Sequence, residues 1–140
     1  MAEYHRHFIP DLSPNLNYTP QPTTSPSAKY ERHLTGDFDA LLQALHIRIG
    51  NEIGAELLEG SDHTTDDIRF AVRVYEYIGF IRDTYASITV TLVGSGDQLF
   101  LSIIIFGHSY VRRERYRERI LKKITPAVDA YIKERRLPRF

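Results

Sequence analysis

The chain has 140 residues, no cysteine and a formal net charge of zero, with 42% hydrophobic and 26% charged residues. This composition is typical of one globular domain with a single core, and the lack of cysteine excludes disulfides, thiolate metal sites and a cysteine nucleophile. No apolar run approaches the roughly 20 residues of a membrane-spanning helix, and the N-terminus lacks the apolar segment of a signal peptide. We therefore expect a cytoplasmic protein with no membrane association.

The zero net charge conceals an asymmetry along the chain. Residues 1–110 contain 7 Lys/Arg and 14 Asp/Glu, whereas residues 111–140 contain 11 Lys/Arg and 4 Asp/Glu. Clustered basic residues create a local field that the overall sum does not show. The C-terminal segment is therefore a candidate surface for an anionic partner.

The N-terminal segment differs in composition from the rest. Five of the seven prolines lie in the first 26 residues, and residues 20–27 are almost entirely Pro, Thr, Ser and Gln. Proline fixes φ and removes a hydrogen-bond donor, which disfavours both helix and strand. The sequence therefore predicts a flexible or extended arm over residues 1–34, followed by a single domain over residues 35–140.

A first helix is predicted over Asp37–Ile49. Its apolar residues recur at helical spacing and form one stripe: Phe38, Leu41, Leu42, Leu45 and Ile49. Thr35 or Asp37 can cap its start, and Gly50 suits the position after its end.

Four strands are predicted next. Ile53–Leu58 alternates moderately, Ile68–Tyr75 and Tyr85–Leu92 alternate clearly, and Leu99–Phe106 is apolar on both faces. Residues 94–97, Gly-Ser-Gly-Asp, predict a hairpin connection between the last two strands. The acidic segment of residues 59–67 is interpreted as a polar turn.

The chain from Val111 onward is predicted to be helical, with one broad apolar stripe. Pro126 interrupts this pattern, and since Thr125 can cap a helix that begins with proline, two consecutive helices and one kinked helix both remain open.

The resulting order, α-β-β-β-β-α, predicts an α+β two-layer sandwich in which two helices cover one face of a four-stranded antiparallel meander. The strand pattern of residues 66–106, which includes IRFAVRVYE, ASITVTL and DQLFLS, resembles small bacterial α+β domains of unknown function. It also resembles the two-layer topology of TATA-box-binding-protein-like folds without a leading strand. This resemblance implies a fold and brings no catalytic residue.

The face of the sheet opposite the helices is the first candidate site. If Phe70, Val72, Val74, Ile88, Val90 and Leu92 face the helices, then Arg69, Arg73, Tyr75, Tyr85, Thr89 and Thr91 point outward. The doubly apolar fourth strand must also leave one row uncovered, either Phe100, Ile104 and Phe106 or Leu99, Leu101, Ile103 and Ile105. Such a row usually marks association, and either self-association through the sheet or coverage by the N-terminal arm would remove it from water. The interface candidates are Phe100, Ile104, Phe106, Tyr75 and Tyr85.

The basic segment is the second candidate site. Arg112, Arg115, Arg119 and Lys122 share one side of the predicted helix, and arginine binds phosphate oxygens bidentately. A solvated helix face that complements the acidic remainder of the chain is the structural alternative.

The sequence contains no glycine-rich phosphate loop between a strand and a helix, and no identifiable catalytic, cofactor or metal-binding set. We therefore expect a non-enzymatic protein-interaction module without a cofactor that self-associates through its outer sheet face or fourth strand. The alternatives are binding of nucleic acid or another anion through residues 112–123, and a small-molecule pocket between the sheet and the helices.

Overall fold

A computed structural model of the chain describes residues 27–79, 84–109 and 116–136. The elements, in chain order, are β1 (Ser27–Thr35), α1 (Phe38–His46), a π-helical segment (Ile47–Glu52), β2 (Glu56–Thr65), β3 (Ile68–Ile78), β4 (Thr84–Ser95), β5 (Gln98–Ser109) and α2 (Tyr116–Arg136). The strands form one antiparallel sheet in the order β1-β5-β4-β3-β2.

The α+β class is confirmed, but the sheet has five strands where the sequence predicted four. The additional strand, β1, lies almost entirely in the stretch assigned to the arm. It pairs with β5 from Ser27 opposite Phe106 to Thr35 opposite Gln98. Beta1 alternates between buried and more exposed positions, with Ala28 and Leu34 in the core, and it pairs with β5 along its whole length. Residues 1–26 lie outside the described residues.

Helix α1 begins where the sequence predicted, because the side chain of Asp37 accepts a hydrogen bond from the Ala40 amide at 2.8 Å. The predicted end was wrong. The helical structure does not end before Gly50 but continues to Glu52 as the π-helical segment, in which Ile49 is fully buried. Such widened turns shift the side chains that follow relative to an α-helix.

Helix α2 continues through Pro126 as a single helix, so the alternative of two consecutive helices is wrong. It meets the start of α1 through Tyr131, whose hydroxyl accepts a hydrogen bond from the Asp37 amide at 2.7 Å. Gly36 permits this approach, because a Cβ there would lie 2.6 Å from that hydroxyl oxygen.

The core lies between the helices and one face of the sheet, here called the covered face. Its large, fully buried side chains come from both helices, the π-helical segment, β3, β4 and β5: Leu41, Leu45, Ile49, Ile124, Val128, Tyr75, Ile88, Val90, Leu92, Leu101, Ile103 and Ile105. The orientation predicted for β4 is therefore confirmed. The two helices and the sheet form two layers, which leave the opposite face, here called the open face, uncovered by any described element.

Candidate functional site

The open face is defined by the strand register, since paired residues of neighbouring strands project to the same side of a sheet. Its central positions belong to β3, β4 and β5: Ile68, Phe70, Val72 and Val74; Ser87, Thr89, Thr91 and Val93; Phe100, Ser102, Ile104 and Phe106. Phe106 is 52% exposed and Ile104 is 40% exposed. Large apolar side chains therefore meet water across the middle of the sheet.

These side chains form three parallel stripes. The middle stripe, on β4, is small and mostly hydroxyl-bearing, whereas the flanking stripes on β3 and β5 are mostly apolar. Polar and charged residues occupy the open-face positions of both edge strands, with Lys29 on β1 and Glu59 on β2. An apolar patch with a polar rim is the usual composition of a protein interface.

One row across the open face, here called the histidine row, has the same residue types in either direction. It consists of His33, Phe100, Val93, Phe70 and His63, each paired with the next. The imidazole of His33 lies 4.8 Å from the Phe100 ring, and that of His63 lies 6.3 Å from the Phe70 ring, measured between centroids. One histidine thus lies at each end of this apolar row, on the two edge strands of the sheet.

A second row, here called the charge row, crosses the same face. It consists of Lys29, Ile104, Thr89, Val74 and Glu59. It has opposite charges at its two ends and β-branched side chains between them. The acidic end belongs to an edge strand whose residues are all exposed.

Four of the five interface candidates lie on the open face: Phe100, Ile104, Phe106 and Tyr85. The structure therefore resolves the alternative left open for β5, because Leu99, Leu101, Ile103 and Ile105 are buried on the covered face.

The fifth candidate, Tyr75, lies on the covered face and is 1% exposed, so the orientation predicted for β3 was wrong. Ala71 and Tyr75 pair with the buried Leu92 and Ile88, which places Phe70, Val72 and Val74 on the open face. Beta3 carries apolar residues on both faces, and alternation alone therefore could not orient it. The residues of β4 that face the helices, which pair with Ala71 and Tyr75, were the signal that could have oriented β3.

Arg69 and Arg73 also lie on the covered face, where each pairs with a carboxylate. Arg69 donates two hydrogen bonds to Asp39 on α1, at 3.0 and 3.1 Å, and Arg73 donates two to Asp62 on β2, at 2.9 and 3.1 Å. The hydrogen bonds from Arg69 lower the pKa of the Asp39 carboxyl. Both guanidinium groups are therefore engaged within the fold.

The residues around Arg73 line an open cleft of about 330 Å³ on this side of the sheet. His46, one of the lining residues, forms a hydrogen bond of 2.9 Å between its Nδ1 and the hydroxyl of the buried Tyr75. The imidazole of His46 is half-buried. Burial raises the pKa of the Tyr75 hydroxyl, so this hydroxyl favours its neutral form. Among the described residues, this cleft brings no nucleophile together with a base and an orienting acid.

The acidic segment of residues 59–67 is not the turn that the sequence predicted. Its first seven residues complete β2, and only Asp66 and Asp67 form the turn into β3. Asp66 has a φ of 49°, a left-handed conformation that Asp tolerates better than most residues.

Of the anion-binding candidates, Arg119 and Lys122 lie exposed on the outer side of α2, whereas Arg112 and Arg115 fall outside the described residues. Arg117 has a structural role, since its guanidinium donates a hydrogen bond of 2.9 Å to the Gly107 carbonyl of β5. A basic cleft that the sequence did not indicate lies between β1 and the end of α2, where Arg32, Arg135 and Arg136 line about 440 Å³. Arg32 is held there by Asp129, at 3.0 Å.

Within residues 27–79, 84–109 and 116–136, no three His, Asp or Glu side chains are grouped so that they could hold a metal ion. No helix in these ranges is both long and apolar enough to cross a bilayer.

Comparison with known proteins finds one family and no individual relative. No curated protein and no solved structure matches the chain. One family model matches residues 27–131, which is almost the whole described region from β1 to the last turns of α2. The chain belongs to that family, DUF6054, a family of unknown function.

Proposed function

We propose that this protein is a non-enzymatic interaction module that self-associates through the open face of its sheet. The observation that carries this proposal is the pair of exposed apolar stripes on β3 and β5. Monomeric proteins rarely keep contiguous apolar patches of this kind in water. The second copy of the chain would cover them.

The size of the open face suits a stable dimer. Five strands about 4.8 Å apart, with a shared length of about nine residues at about 3.3 Å each, give a face of roughly 24 by 30 Å, or on the order of 700 Å². Stable interfaces of standard size bury about 800 Å² per partner. A second identical sheet can pack on it face to face, at about 10 Å, as the two layers of a β-sandwich do.

A second copy also matches the chemistry of this face better than an anionic partner does. The open-face positions of β2 include Glu59, and Glu76 lies on the same face of β3. These carboxylates would repel a nucleic acid, whereas the opposite charges of the charge row suit a second copy of the same surface. The exposed cations Arg119 and Lys122 lie on α2, away from the apolar stripes.

Sedimentation equilibrium of the full chain tests the proposal. We expect a concentration-dependent species of twice the 16.2 kDa chain mass. A monomer at all concentrations up to the millimolar range would refute self-association. If a chain that lacks residues 1–26 then dimerises while the full chain does not, that segment covers the open face instead, and the proposal fails in favour of intramolecular coverage.

A further inference from the structure

We infer that in this dimer the two-fold axis runs along β4, so that β1 of each copy lies over β2 of the other. The inference rests on the proposed self-association and specifies its geometry. The observations that carry it are the histidine row, which has the same residue types in both directions about β4, and the charge row, which has opposite charges at its two ends.

Symmetry leaves two simple choices. A two-fold axis that relates two sheets packed face to face lies in the plane between them, and when the strands of the two sheets are aligned it runs either along the strands or across them. With the axis along β4, each row of one copy lies over the same row of the other copy, and the order of the strands is reversed. With the axis across the strands, β1 lies over β1, β2 lies over β2, and the order of the rows is inverted.

The axis along β4 matches apolar groups with apolar groups in the histidine row and in the charge row. The β3 stripe of one copy then faces the β5 stripe of the other, and the β4 stripe faces itself. In the histidine row, Phe100 faces the partner's Phe70, and Val93 faces the partner's Val93. In the charge row, Ile104 faces the partner's Val74. The match is apolar on apolar in these two rows, whereas Ser102 faces the partner's Val72 and Phe106 faces the partner's Glu76 in two of the others.

Charge distinguishes the two choices. With the axis along β4, Lys29 faces the partner's Glu59 and Glu31 faces the partner's Ser61, so two opposite-charge pairs form at the two edges. With the axis across the strands and centred on the middle row, Glu31 faces the partner's Glu31 and Lys29 faces the partner's His33. Because like charges across an interface are unfavourable, the pattern favours the axis along β4.

The absence of native cysteine allows a direct geometric test. Glu31→Cys and Ser61→Cys place single thiols at opposite ends of one row, on β1 and β2. With the axis along β4, two identical thiols lie about 22 Å apart, from four strand spacings and the sheet separation. The thiol on β1 of one copy, in contrast, lies about 10 Å from the thiol on β2 of the other.

A bismaleimide with a span of about 10 Å should therefore link a mixture of the two variants into a covalent dimer and leave each variant alone unlinked. Links within each single variant would overturn the axis along β4 and indicate an axis across the strands. Sedimentation of the same samples separates the two proposals, because a monomer refutes self-association itself, whereas a dimer with links within one variant refutes only the arrangement.

Charge reversal gives a second, independent readout. Lys29→Glu and Glu59→Lys should each weaken the dimer on the order of tenfold, and the double variant should restore it, because the swapped charges again face each other. Lys122→Glu, on the outer side of α2, is the matched control and should leave the dimer unchanged. A double variant as weak as the product of the two single effects would contradict the pairing of Lys29 with the partner's Glu59.

Discussion

Replacement of Ile104 by Asp should abolish the dimer and leave the fold intact. Ile104 is 40% exposed in the single chain. Full burial of an isoleucine side chain contributes about 2.5 kcal/mol, so covering this exposed fraction contributes about 1 kcal/mol per copy and about 2 kcal/mol per dimer. The loss of that term corresponds to about a 30-fold increase in Kd. The carboxylate would also lose its hydration in the interface, which increases the effect further.

The matched control is Ile47→Asp. Ile47 is 41% exposed, close to the value for Ile104, but it lies at the start of the π-helical segment on the other side of the molecule. Both variants remove the same side chain and add the same charge, and they differ only in the face that carries the change. Because both side chains are exposed in the single chain, neither variant places its carboxylate in the core.

Sedimentation equilibrium gives the dimer Kd of both variants, and thermal unfolding monitored by circular dichroism reports whether the fold survives. We expect Ile104→Asp to be a folded monomer and Ile47→Asp to keep the Kd of the unchanged chain. Equal dimerisation of the two variants would refute association through the open face, even if the chain is dimeric.

Three further predictions concern the fold that presents this face. Asp37→Ala should lower the free energy of unfolding by about 1 kcal/mol, because the Ala40 amide loses the side chain that caps α1; chemical denaturation measures it, and an unchanged midpoint would contradict the capping role. Tyr75→Phe should lower the free energy of unfolding by about 1 kcal/mol, because the hydrogen bond to His46 is lost. Tyr116→Phe should leave this free energy unchanged or raise it, because the buried hydroxyl of Tyr116 has no hydrogen-bond partner among the described residues. Equal losses of stability in the two variants would count against this account. Burial raises the pKa of Tyr75 and Tyr116 above the ordinary value of about 10, so the folded chain retains protons that the unfolded chain loses. The free energy of unfolding should therefore fall as the pH rises above about 10. Between about pH 8 and about pH 11, the Tm of the double Phe variant should fall less than the Tm of the unchanged chain.

Several local features could be predicted from the sequence because their causes are local. The cap at Asp37 depends on residues three positions apart, and the turn between β4 and β5 depends on Gly96, whose φ is +60°. Beta4 alternates between branched apolar and hydroxyl residues, which fixes its buried face without knowledge of its neighbours.

The features that the sequence missed depend on distant partners. Beta1 is a strand because it pairs with β5, about 70 residues further along the chain, and no local pattern records such a pairing. Beta3 is apolar on both faces, so the choice between them came from its register with β4. That choice moved Tyr75 into the core and Phe70, Val72 and Val74 onto the open face.

By itself, the sequence determined an α+β domain with an N-capped first helix, a hairpin at residues 94–97 and one strand, β5, with more apolar surface than a two-layer fold covers. Only the tertiary structure decided that β1 completes the sheet, which β3 side chains meet water, and which charges lie at the ends of each row. The physical reason is that side-chain composition acts locally, whereas a surface is created by strand order and register, which the whole chain determines together.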